Sequence, residues 1–200
     1  MLKSLFSDKM KAVQLANRFL GLTTLNVILA VVFTAVVLDP FLCVSVSPGQ
    51  FGCHDNMVTS WPGTWLFIGY FTFLIAGVVG SLGWAGLYYM GAVLRGKTEV
   101  SKLFSRAHLL LFEVGVLGSS ACMAAVGYVG GGVIATGGGA AVAAQSIAVN
   151  IFPPLSNDPA SIFNDMPVII EAVFIVVALL GVFVGILNYI NSKPGPVEAM

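Results

Sequence analysis

Few residues in this sequence could do chemistry, and they fall into two settings. His108, Glu113 and Glu171 lie in or beside long apolar stretches, whereas Cys43, Cys53 and His54 share one connection that also holds Pro48, Gly49 and Gly52. Ionisable groups within apolar spans are rare and expensive, so each is weighed by itself. His108 could be an axial haem ligand or a proton-handling group. A haem held by two histidines needs a second buried one, and His54 is placed on the opposite side by the topology below. A haem on His108 would therefore need a Met or a ligand from another chain. Against this stands an interfacial histidine, hydrogen-bonded to backbone or lipid.

Glu113 is deeper in its span, where an unpaired carboxylate costs about 2.5–3.5 kcal/mol on insertion scales. It needs a partner or a proton. Arg106, seven positions earlier on the same helical face, is the first candidate for a buried charge pair, with Asn26, Tyr88, Tyr89 or a neighbouring subunit as alternatives. A structural ion pair is the favoured expectation and a proton relay its rival. Glu171 reads as interfacial.

Cys43 and Cys53 stand ten positions apart in numbering, with turn-forming residues between them, and Cys122 lies within an apolar span. An oxidising exterior favours a Cys43–Cys53 disulfide, which would contribute on the order of 2–3 kcal/mol by restricting the unfolded loop. The rival use of this loop is a soft-metal site, copper or similar, with Cys53, His54 and Met57 as ligands.

These groups are positioned by a chain that is 58% hydrophobic and only 9% charged, far from the roughly one quarter charged residues of a soluble domain. Its nine Lys and Arg fall in three short segments: Lys3, Lys9, Lys11 and Arg18, then Arg95, Lys97, Lys102 and Arg106, then Lys193. Apolar runs between them predict an all-α integral membrane protein with four transmembrane helices, at 19–38, 65–94, 107–129 and 168–190. Lipid offers the backbone no hydrogen bonds, so spans of this kind are helical. The connections at 39–64 and 130–167 carry Asp39, Asp55, Asp158 and Asp165 but no Lys or Arg. By the positive-inside rule, 1–18, 95–106 and the tail 191–200 are cytoplasmic and the two longer connections face outward, in a multi-pass protein of the cell membrane.

Met1–Arg18 reads as a charged flank rather than a cleaved signal, and the spacing of Leu2, Leu5, Phe6 and Met10 suggests a helix lying at the inner surface. Val133–Phe152 is charge-free but rich in Gly and Ala, and inserting it would place Lys193 outside. It is expected as an outer-surface or partly re-entrant helix around Ala140–Val149, ended by Pro153 and Pro154. Within the spans the most repeated pattern is four-residue spacing of small side chains: Ala76 with Gly80, Gly77 with Ser81, Gly115 with Ser119, Gly118 with Cys122, and Gly181 with Gly185. Such faces let helix backbones approach closely. Trp61, Trp65, Tyr70 and Tyr128 fit an outer aromatic belt, and Tyr88, Tyr89 and Tyr189 an inner one.

There is no phosphate-binding loop, zinc-ligand pair or nucleophile with a base at workable spacing, and the basic residues are placed for topology rather than for nucleic acid. Arg106–Gly115, "RAHLLLFEVG", resembles the His-x-His-Leu…Phe-Gly helix of small membrane relatives of haem–copper oxidase subunit one. Of that pattern only His108 stands at a ligand position, with Arg106 where the first His would be and Glu113 in place of the usual Gly. The resemblance implies a respiratory setting rather than an active site. Four helices with a disulfide in the first outer loop also resemble claudin-type tetraspans, whose Trp and Leu signature before the cysteines is missing. The expected function is an accessory, non-catalytic subunit of a larger membrane redox complex, such as a terminal oxidase or membrane copper monooxygenase. It would carry no cofactor of its own and pack against other integral subunits and lipid. The alternatives are a small transporter or channel with Glu113 in its path, and a haem-binding electron-transfer subunit using His108.

Overall fold

In a computed structural model of the chain, residues 9–42, 63–135, 142 and 166–194 are described. A short strand, β1 (Lys9–Lys11), leads directly into α1 (Ala12–Leu42). After the first long connection comes α2 (Thr64–Arg95), α-helical over Thr64–Thr72 and Ser81–Arg95 and π-helical over Phe73–Gly80. Strand β2 (Glu99–Ser101) leads into α3 (Lys102–Ala135), and α4 is Met166–Ile190. The described residues are helical apart from the small ribbon, and four helices among them are each long and apolar enough to cross a membrane.

All four helices are close to the spans expected from hydropathy, but α1 starts seven residues before 19, and α3 continues six residues beyond 129. The early start of α1 has a plain cause. Ala12, Leu15, Ala16 and Phe19 are buried while Gln14, Asn17 and Arg18 are exposed, which is a helical stripe facing the interior. The expected surface helix over 1–18 is therefore corrected where the chain is described: 9–11 is extended and 12–18 is the first part of α1. Met10 is buried in the ribbon instead of lying in an amphipathic surface helix.

The described residues fall into two compact units. The first comprises the described residues within 1–28, 75–116 and 175–200, the second those within 29–74 and 117–174. In the first unit, β1 and β2 pair antiparallel with Lys9 opposite Ser101 and Lys11 opposite Glu99. Lys193 adds to the other side of Glu99 by a reciprocal pair of backbone hydrogen bonds of 3.1 and 3.0 Å. The N-terminal flank, the 95–101 connection and the residues after α4 are thus bonded together at one end of this unit. Gly96, in the left-handed conformation with φ 64°, ends α2 and turns the chain into β2.

Side chains of α3 and α4 approach across glycine. A Cβ on Gly115 would collide with the Ala178 backbone, one on Gly181 with the Phe112 backbone, and one on Gly185 with the His108 ring. The second unit is built alike: Gly127 faces the Leu66 backbone, Gly69 faces Ser120 and Ala124, and Gly118 faces the Phe174 ring. Its core of Val37, Leu66 and Ala124 is flanked by Phe33, Phe67, Tyr70 and Tyr128, and the Tyr70 hydroxyl shares a 2.8 Å hydrogen bond with Thr34. Tyr70 therefore serves this core.

Gly83 is the contrasting case, since nothing lies within 4 Å of a Cβ added there. Gly115→Ala is expected to destabilise the protein by about 1–3 kcal/mol through overpacking, whereas Gly83→Ala should be neutral or stabilising by up to about 1 kcal/mol through helix propensity. Thermal unfolding of the two variants in the same detergent checks the sign and the contrast.

Candidate functional site within the apolar spans

The first unit gathers most of the buried polar side chains among the described residues, in two adjoining groups. One centres on His108. Its ring is fully buried and its Nδ1 lies 2.7 Å from the Gly181 carbonyl, which is an acceptor only, so Nδ1 carries the hydrogen. Trp84 meets the imidazole edge-on at 4.4 Å between centroids, Phe19 is at 4.9 Å, and Tyr88 and Phe112 are each at 6.1 Å. The remaining nitrogen, Nε2, is buried without a hydrogen-bond partner. A backbone-bonded Nδ1 with a free Nε2 is also how metal-ligating histidines are oriented. Here the ring packs directly on Gly185 and within the four aromatic side chains, so a porphyrin would reach Nε2 only if one of them moved.

Hydrogen bonds run from this ring cluster toward the ribbon. The Tyr88 hydroxyl donates to the Gly185 carbonyl at 3.2 Å, and the Asn188 amide donates to Ser105 Oγ at 3.0 Å. Asn188 Oδ1 accepts from the Ser101 N–H at 3.1 Å, and Ser105 donates to the Ser101 carbonyl at 2.6 Å. One amide on α4 thus satisfies groups on both α3 and β2. Lys97 donates to the Tyr189 carbonyl at 3.3 Å, and its ammonium sits 4.8 Å from the Tyr189 ring centroid.

The second group joins α1, α2 and α3. Asn26, fully buried, donates from Nδ2 to the Gly77 carbonyl at 2.9 Å and to Glu113 Oε2 at 3.3 Å. Ser81 also donates to the Gly77 carbonyl, at 2.5 Å, and lies 2.9 Å from Thr23 Oγ1, which donates to the Phe19 carbonyl at 2.8 Å. Gly77 belongs to the π-helical stretch, where a wider turn displaces the ordinary hydrogen-bond ladder. Asn26 Oδ1 and Glu113 Oε1 are buried and unpartnered.

Several expectations meet the structure here. Arg106, offered by spacing as the partner of Glu113, is exposed, and the hydrogen bond to Glu113 comes from Asn26 instead. Physically, a neutral amide on a neighbouring helix at the same depth needs no long side chain to reach down the span. Tyr88, assigned to an interfacial belt, is an interior residue 1% exposed, while Tyr89 is 53% exposed. Cys122 is a half-buried free thiol and Glu171 is half-buried. Cys43, Cys53, His54 and Met57 lie outside the described residues, as does most of Val133–Phe152, so the disulfide, the soft-metal site and the re-entrant helix have no counterpart to report. Among the described residues no three His, Cys, Asp or Glu side chains converge as a metal site would require. Thr23, Ser81, Ser105 and Asn188 were not singled out as site residues by the sequence. Their one signal was an amide or hydroxyl placed in or beside an apolar run.

No protein-family model, curated protein or solved structure matches this chain.

The Asn26 amide serves two acceptors on two helices, and its removal strands buried Glu113 while the Gly77 carbonyl keeps only Ser81. Asn26→Ala is expected to cost about 1–3 kcal/mol, the penalty for leaving buried polar groups unsatisfied. Thr24→Ala, which removes only an exposed hydroxyl bonded to the Leu20 carbonyl of its own helix, should be nearly neutral. Chemical unfolding of both variants in mild detergent compares them.

Proposed function

We propose that this chain is an accessory integral-membrane subunit of a larger membrane redox complex, of the terminal oxidase or membrane copper monooxygenase kind, packing against catalytic subunits. The observation that carries this reading is the use made of His108. The one described histidine is committed by Nδ1 to the Gly181 carbonyl and by its faces to aromatic packing, which is the work of a residue that ties helices together. Asn26, Ser81 and Asn188 serve in the same way.

The outer surface supports the same reading. Only 17% of the apolar window of α1 and 11% of that of α4 is buried within the chain, so most of those side chains face lipid or other subunits. The redox setting rests on the likeness of Arg106–Gly115 to the oxidase helix. In this reading the ends bonded together at the ribbon face the cytoplasm, as the basic residues there favour, and the protein resides in the cell membrane.

Transport is the second reading, and the buried, unpartnered oxygen of Glu113 is what favours it. A Glu113→Gln variant with unchanged flux would dispose of that alternative.

Isolation of the native protein in mild detergent, with mass spectrometry of its companions and a visible spectrum and metal analysis of the same sample, tests the proposal. Redox subunits in fixed stoichiometry are the expected result. A colourless homo-oligomer would overturn it.

A further inference from the structure

The two oxygens of Glu113 have unequal surroundings. Oε2 accepts one hydrogen bond, from Asn26 at 3.3 Å, while Oε1 is buried with no partner. A carboxylate accepts only and has about four lone-pair sites to satisfy. One neutral amide at the long end of hydrogen-bonding range does not provide for a full negative charge in an apolar span. A carboxylic acid divides the roles differently. Its carbonyl oxygen, Oε2, accepts from the amide, and Oε1 carries the hydrogen.

The groups hydrogen-bonded to this pair are neutral: Asn26 on α1 bonds Glu113, and its other partner, the Gly77 carbonyl on α2, is shared with Ser81, which in turn meets Thr23. On α3 itself His108 is held through Nδ1 by the Gly181 carbonyl, and Arg106 is exposed. A second and independent observation comes from Asn26. The Gly77 carbonyl, 2.9 Å away, can only accept, so the amide nitrogen must face it and the amide cannot be turned over. That leaves Oδ1 of a fully buried side chain, in contact with Glu113, as an unused acceptor. Two touching side chains therefore keep one donor and one acceptor that the fold does not consume.

We propose that Glu113 and Asn26 form a proton-binding site inside the spanning region, in which Glu113 holds an exchangeable proton as a neutral acid and Asn26 fixes its geometry. The inference goes beyond the subunit reading and does not depend on it.

Infrared spectra of the intact protein in lipid nanodiscs test it. The expected result at neutral pH is the carbonyl band of a protonated carboxyl that shifts on transfer to D2O and is lost in Glu113→Gln. That variant should keep the parent's unfolding temperature, because it replaces a neutral acid by a neutral amide. In Asn26→Ala the band should move to higher frequency, since the acid carbonyl loses its donor; a residue that only fills space would leave the frequency unchanged. Should Asn26→Ala not fold, the Glu113→Gln comparison decides. Any one of these outcomes overturns the proposal: no such band at neutral pH, a band that Glu113→Gln leaves intact, or a band insensitive to D2O. Loss of the band on adding sodium chloride would also overturn it, assigning the site to a metal cation.

Discussion

The Asn26 amide is the constraint around which the first unit is arranged. In an apolar interior each polar group must find its partner within the protein, and a single nitrogen here serves a backbone carbonyl on α2 and a carboxyl on α3. The consequence reaches the backbone. Gly77, whose carbonyl takes hydrogen bonds from both Asn26 and Ser81, lies in a π-helical stretch that ends at Gly80, directly before Ser81. Breaking the Asn26 contacts would leave unsatisfied groups on α1 and α3, while the Gly77 carbonyl on α2 would keep Ser81.

Close approach of backbones makes such short polar links possible. Gly115, Gly181 and Gly185 bring α3 and α4 to distances that any side chain would prevent. At Gly185 the vacated space is filled by the His108 ring, which in turn is capped by Phe19, Trp84, Tyr88 and Phe112. Small residues on α4 and large ones on α1, α2 and α3 are two halves of one packing solution. Without a hydrophobic driving force between helices in lipid, this fit of shapes and the hydrogen bonds it allows are what hold spans together.

At the ribbon the demands are different. Three separated basic segments contribute Lys9–Lys11, Glu99–Ser101 and Lys193 to one hydrogen-bonded cluster, and Asn188 ties it to the helices below. Charge distribution alone would bring these segments to the same membrane face. The backbone pairing makes them neighbours. Most buried polar side chains of this unit are engaged by other parts of the fold, and Glu113 keeps a buried oxygen without a partner.

Hydropathy and charge determined the helices, because a run of about 20 apolar residues has few other ways to meet water-free surroundings. Gly115, Gly181 and Gly185 were also legible as packing positions, since four-residue spacing places them on one face whatever lies opposite. Tertiary structure alone decided what lies opposite. Spacing along α3 offered Arg106 to Glu113, yet Asn26, 87 positions away in the chain, is the residue that reaches it. Tyr88 looked interfacial from its depth, but its place inward toward His108 depends on the rotation of α2. The extended conformation of Lys9–Lys11 depends on β2, which lies beyond two helices. Period and composition describe a helix and the solvent it needs; which polar group meets which depends on helix rotation and relative height, and those follow from long-range packing that no local pattern encodes.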